Sequence, residues 1–160
     1  MKKIFFLFAI LGTAFFQKAL AQDSTQQYQL SQLLAHYYGI KDALVASDPA
    51  IAAAEAGAFI KTANGIDYKL ISEGNINTLL KDATSISTGK NIEKQREHFA
   101  NLSGNMAGLA KSVKLTNAPV YQAYCPMKKA IWLSNEKGIK NPYYGNQMLT
   151  CGKVVETINP

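Results

Sequence analysis

The chain has 160 residues, 48% hydrophobic and 18% charged, with a formal net charge of +6 at pH 7. That length suits one domain with a single core. No basic run with interleaved aromatics stands out, which excludes the usual nucleic-acid binder.

Residues 1–21 are read apart from the fold. Lys2 and Lys3 make a basic start, Ile4 to Phe16 is apolar, and Ala19-Leu20-Ala21 has the small-x-small pattern of a signal-peptidase site. The apolar run falls short of the roughly 20 residues a spanning helix needs. The expectation is a leader cleaved after Ala21, no lipid-anchoring cysteine after the cut, and an exported, periplasmic domain over 22–160 without a transmembrane segment. Loss of Lys2, Lys3 and Lys18, with no acid among them, lowers the formal charge to +3. The basic character is mostly the leader's.

From Tyr28 to about Val45, Leu30, Leu33, Leu34, Tyr37, Leu44 and Val45 recur at helical spacing. Ser47-Asp48-Pro49 ends that helix and opens the next, Asp48 as the cap and Pro49 in the first turn, where a missing N–H costs nothing. An alanine-rich stretch follows, thin enough to approach its neighbours closely, and Asn64-Gly65 breaks it. Ile76, Leu79, Leu80, Ala83 and Ile86 make a third stripe ending near Thr88-Gly89. The fourth has Ile92, Phe99, Leu102, Met106, Leu109 and Val113 on one face, with Lys94, Gln95, Glu97, Asn101 and Asn105 mostly off it. Four amphipathic helices with short connections predict a mainly α fold, an up-and-down four-helix bundle.

After Lys114 the pattern changes. Asn117-Ala118-Pro119 stops the helix, and a mostly irregular tail (about 117–160) holds two short strand-like runs, Val120 to Tyr124 and Lys153 to Ile158. Its aromatics argue for an ordered segment. Trp132, Tyr143 and Tyr144, with Pro142, either cover the end of the bundle or form a docking face for an envelope protein. Asn141 to Gly145 reads as a turn, with Gly145 able to take a positive φ.

The tail also holds the chain's two cysteines and two of its four methionines, as Cys125-Pro126-Met127 and Met148-x-x-Cys151. In an extended segment residues i and i+2 share a side, so Cys125 and Met127 can face one point. Met148 and Cys151 do so if their stretch makes a helical turn. Two such pairs converging would suit Cu(I) or Ag(I), since thiolate and thioether are soft donors, and would suit zinc less well. The same cysteines in an oxidising compartment can instead form a disulfide, which would stabilise by on the order of 3 kcal/mol through loop closure, with both methionines as gap-filling core. Two buried free thiols are the third reading. A redox-gated site, open when reduced and closed when oxidised, would reconcile the first two. His98 flanks the fourth helix, where it is a fifth candidate ligand or a surface residue; His36 reads as a surface residue. No G-x-S-x-G, H-E-x-x-H or phosphate-loop spacing occurs, and no carboxylate pair stands out as acid and base, so an enzyme is not expected.

Tyr124 to Met127, Trp132 to Asn135 and Ile139 to Val154 together resemble the tail of an uncharacterised family of exported bacterial domains. Lys41 to Leu44 in the first helix and Phe99-x-x-Leu102-Ser103 in the fourth are similar too. Members of that family stand alone or are fused to the C-terminal end of periplasmic adaptors of copper and silver efflux pumps. The resemblance implies a role in soft-metal handling, with a metal ion and an efflux adaptor or other envelope protein as partners. Tyr124 to Met127 also looks like the short heavy-metal motif of copper-transport proteins, which usually continues with histidine where this chain has Lys128. Two functions follow as expectations. One is a periplasmic Cu(I)-type binding protein that uses Cys125, Met127, Met148 and Cys151 to buffer the ion or deliver it to an efflux system. The other is a non-enzymatic interaction module stapled by a Cys125–Cys151 disulfide.

Overall fold

The computed structural model describes residues 25–160, so the leader expected over 1–21 lies outside the described residues. Helix α1 runs over 25–45, α2 over Pro49–Ala63, α3 over Glu73–Thr88 and α4 over Ile92–Ser112. Each later start is set by a side chain that satisfies amides the helix cannot reach. Asp48 accepts from Ala50 and Ile51 N–H, Ser72 from Asn75 N–H, and Asn91 from Glu93 and Lys94 N–H. Sequential helices pack against one another, as a bundle with short connections requires. Among the described residues no helix is long and apolar enough to cross a membrane.

The four stripes meet in one core. Leu33, Tyr37, Leu44, Phe59, Ile76, Leu79, Ile86, Phe99, Leu102 and Met106 are all at or below 1% exposure. One residue read as lying off the stripe of α4 belongs inside. Gln95 is fully buried, and its amide nitrogen, Nε2, donates to Ile86 O at 3.1 Å, Gly89 O at 2.9 Å and Pro49 O at 2.9 Å. It ties the end of α3 to the start of α2. Charge-free polarity let it enter where Lys94 or Glu97 would have paid heavy desolvation.

The tail is more regular than its sequence suggests. Strands β1 (Val120–Cys125), β2 (Ala130–Ser134) and β3 (Lys153–Ile158) form an antiparallel sheet in the order β2-β1-β3. β2 has no counterpart among the strand-like runs read from the sequence. Residues 126–129 turn the chain between β1 and β2 with Lys129 at φ +55°, and without the glycine or asparagine that usually marks such a turn. The sheet is fastened to the bundle by an aromatic series. Tyr37 stacks on Phe99 at 5.2 Å, Phe99 meets Tyr143 at 6.0 Å, and Tyr143 meets the edge of Trp132 at 6.0 Å. The Tyr37 hydroxyl bonds Ser103 Oγ on α4 and accepts from Leu133 N–H on β2.

Arg96 makes a second fastening. Its guanidinium donates to Leu44 O and Ser47 Oγ at the α1–α2 turn and to Pro142 O in the tail. Gly145 sits at φ +55° in that junction, where an added Cβ would lie 2.7 Å from Ser47 Oγ and 2.8 Å from Arg96 Nη2. The positive φ expected of Gly145 is present, and the close approach is a second reason for glycine.

Candidate functional site

The candidate site is where the end of β1 meets the start of β3. The antiparallel register pairs Tyr124 with Lys153, so Cys125 lies across from the residues just before β3. Cys151 N–H donates to Met148 O at 3.0 Å, the helical-type turn expected for that stretch. Gly152 then takes φ +145°, a conformation glycine alone adopts readily, and passes so close to β1 that a Cβ would sit 2.9 Å from Tyr124 O and 2.7 Å from Trp132 Cη2. Gly152→Ala should therefore cost about 1–3 kcal/mol for the backbone alone. Chemical denaturation would check this, and an unchanged midpoint would mean that the β1–β3 junction yields to a methyl group without strain.

Both cysteines are free thiols, Cys125 fully buried and Cys151 partly exposed. Burial, followed by the neighbouring Cys125, pushes the Cys151 thiol above the ordinary thiol range. Two N–H groups converge on Cys125 Sγ, Asn141 Nδ2 at 3.2 Å and the Lys128 backbone at 3.4 Å. Asn141 is itself fully buried and its amide bridges the site, since Nδ2 also donates to Cys151 O at 2.7 Å. Its Oδ1 accepts from Tyr143 N–H, and its backbone N–H reaches Leu149 O. Every polar group of this side chain is in use.

The four sulfurs do not close into one buried cluster. Met127 is 61% exposed and Met148 39% exposed, so neither is the core gap-filler that the disulfide reading required. For Met127 the reason is local: β1 ends at Cys125, and the i, i+2 alternation that would align the two side chains stops with the strand. What turns back to Cys125 instead is the amide of Lys128. His98 faces α3, with Nδ1 3.4 Å from Asp82 Oδ1, and among the described residues no three of His, Cys, Asp and Glu gather as a ligand set. His36 is partnered by Glu55 at 3.0 Å.

The aromatic face is mostly closed as well. Trp132 is 1% exposed and Tyr143 is buried with its hydroxyl donating to Ile131 O, which leaves Tyr144 as the only one of the three that a partner can reach. Covering the bundle end is what the first two rings do, because a buried indole and phenol gain more from core contact than from water.

Asn141 is the residue the sequence reading missed. It was legible as a turn former before proline, but nothing in its neighbours signals a bond to a sulfur 16 positions away.

Fold and site together define a helical bundle carrying a small sheet with a reduced dithiol at its edge. The chain belongs to the family described as a protein of unknown function, DUF3347, whose profile matches residues 33–118. The match runs from within α1 through α4 and ends before β1, so the cysteine-bearing tail lies beyond it. Comparison with curated proteins and with solved structures finds no significant match.

Proposed function

We propose that the protein binds a soft monovalent ion, Cu(I) or Ag(I), through Cys125 and Cys151, and that it acts as a periplasmic buffer or carrier rather than an enzyme. The observation that carries this reading is the convergence of two free cysteines on one buried amide, Asn141 Nδ2 donating both to Cys125 Sγ and to Cys151 O. A pair of thiolates is a sufficient donor set for a soft d10 ion that accepts two ligands, whereas zinc would need two more nitrogen, sulfur or oxygen donors. The N–H groups of Asn141 and Lys128 support the charge that Cys125 acquires when its proton is displaced, as outer partners of metal ligands commonly do. Met148, one turn before Cys151 and partly exposed, would add a thioether at the rim. The leader-like residues 1–21 and the resemblance of the tail to domains fused to efflux adaptors support delivery to an efflux system, with Tyr144 on the side open to that partner.

The test is a Cu(I) competition titration against a chromophoric chelator, on reduced protein without air. The parent should hold one equivalent, while Cys125→Ser and Cys151→Ser should each lose at least tenfold in affinity with helicity unchanged. Retention of parental affinity by both variants would remove the dithiol from the function.

A further inference from the structure

We propose that the same dithiol exchanges with low-molecular-weight disulfides in a fixed order, Cys151 first and Cys125 second, and that the resulting Cys125–Cys151 disulfide closes the ion site. The gating clause rests on the proposed ion-binding function; the exchange stands on the geometry alone.

The order follows from access and contact. Cys151 is partly exposed and reachable by a small disulfide, whereas Cys125 is fully buried with its sulfur bonded by the Asn141 amide. An incoming disulfide RSSR therefore meets Cys151. Its sulfur attacks one sulfur of the reagent, a Cys151–S–SR bond forms, the S–S bond of the reagent breaks, and the first RSH leaves with the proton that Cys151 gives up. Cys125 Sγ and Cys151 O share the Asn141 amide, and β1 pairs with β3 up to Tyr124 and Lys153, so the inner thiol already stands beside Cys151 for the second attack. The Cys125–Cys151 bond forms, the Cys151–SR bond breaks, and a second RSH departs with the proton of Cys125. One dithiol is oxidised by two electrons and one RSSR is reduced to two RSH.

Asn141 is a positioning residue in this sequence. Its amide donates to Cys125 Sγ and to Cys151 O at once, so it holds the inner sulfur against the backbone of the outer cysteine and supports the negative charge that gathers on Cys125 during attack. The substrate class is a small, flexible disulfide such as oxidised glutathione. Attack on a sulfur by a thiol that is correctly placed gains the advantage of any intramolecular reaction, so the mixed disulfide should not persist.

The experiment mixes the reduced full chain with oxidised glutathione, quenches with acid, and reads adducts and remaining thiols by intact-mass spectrometry after alkylation. The parent should go to the internal disulfide with no lasting glutathione adduct. Cys125→Ala, which keeps the buried site apolar, should stop at a stable adduct on Cys151. Cys151→Ser should react at least tenfold more slowly than the parent, because only the buried thiol remains. A parent that stalls at a mixed disulfide with Cys125 still free would overturn the proposal, and so would a Cys151→Ser variant that reacts as fast as the parent. For the gate, oxidised protein is titrated with Cu(I) beside reduced protein; lost binding that returns on reduction supports it, and equal binding by both forms overturns it. If reduced protein binds no Cu(I) while the ordered exchange proceeds, the ion-binding function fails and the exchange stands.

Discussion

Trp132→Ala should destabilise the protein by about 3–5 kcal/mol, the range for removing a large aromatic from a closed core. Trp132 is 1% exposed at the centre of β2, edge-on to Tyr143 and pressed against the backbone of Gly152. Its removal leaves a cavity between the sheet and the tail turn that neither Tyr143 nor Ala123, its partner on β1, is free to fill. The indole also lies against Gly152, the residue after Cys151, at the β1–β3 junction where Cys125 is buried. The same variant should therefore expose the inner thiol to alkylation under native conditions, at a concentration of reagent that leaves the parent labelled on Cys151 alone. Denaturant unfolding measures the first effect and peptide mapping of the alkylated chain the second. Trp132→Phe keeps the ring contact with Tyr143 and should recover a large part of both. A loss under 1 kcal/mol for the alanine variant would mean that the sheet is not fastened to the bundle through this ring.

Gln95→Glu is expected to be comparably damaging, about 3–5 kcal/mol, because it places an unpaired charge in a buried site. The amide of Gln95 donates to three carbonyls, and a carboxylate in its place would present an oxygen to each of them. The loss should depend on pH in a definite direction. Burial and the facing carbonyls both favour the protonated acid, so the folded state binds its proton more tightly than the unfolded chain, where a glutamate titrates near 4.3. Stability of the variant then falls as pH rises from that value, and the gap to the parent narrows toward acid. Gln95→Met separates the two contributions: it gives up the hydrogen bonds without adding charge, and should cost roughly 1–3 kcal/mol at every pH. Thermal melts of the three proteins across pH would check this. Equal, pH-independent losses for Glu and Met would show that the Glu side chain escapes to water.

The helices were legible because their signals are local. Asp48-Pro49 and Asn91 act within three residues, and a stripe such as Phe99, Leu102, Met106 and Leu109 repeats often enough to define a buried face. Gln95 escaped the same reading because its burial is decided by the carbonyls at the ends of two other helices, not by its own neighbours. β2 escaped because five residues carry too little periodicity, and the turn before it uses Lys129 at positive φ in place of a turn-forming residue. Met127 was aligned with Cys125 on the assumption that the strand continues. It stops at Cys125, two residues short of Met127.

The sequence by itself determined four helices, the Asp48-Pro49 junction between the first two, the positive φ of Gly145, and the concentration of sulfur in the tail. Only the tertiary structure decided which sulfurs meet. Cys125 and Cys151 are brought together by the β1–β3 pairing and by Asn141, while Met127 and Met148 are left toward solvent and His98 is drawn to Asp82. The physical reason is range. A helix is closed by hydrogen bonds four residues apart and is written in the local pattern, whereas this site is closed by contacts across 10 to 26 residues, which strand register and a single buried amide select.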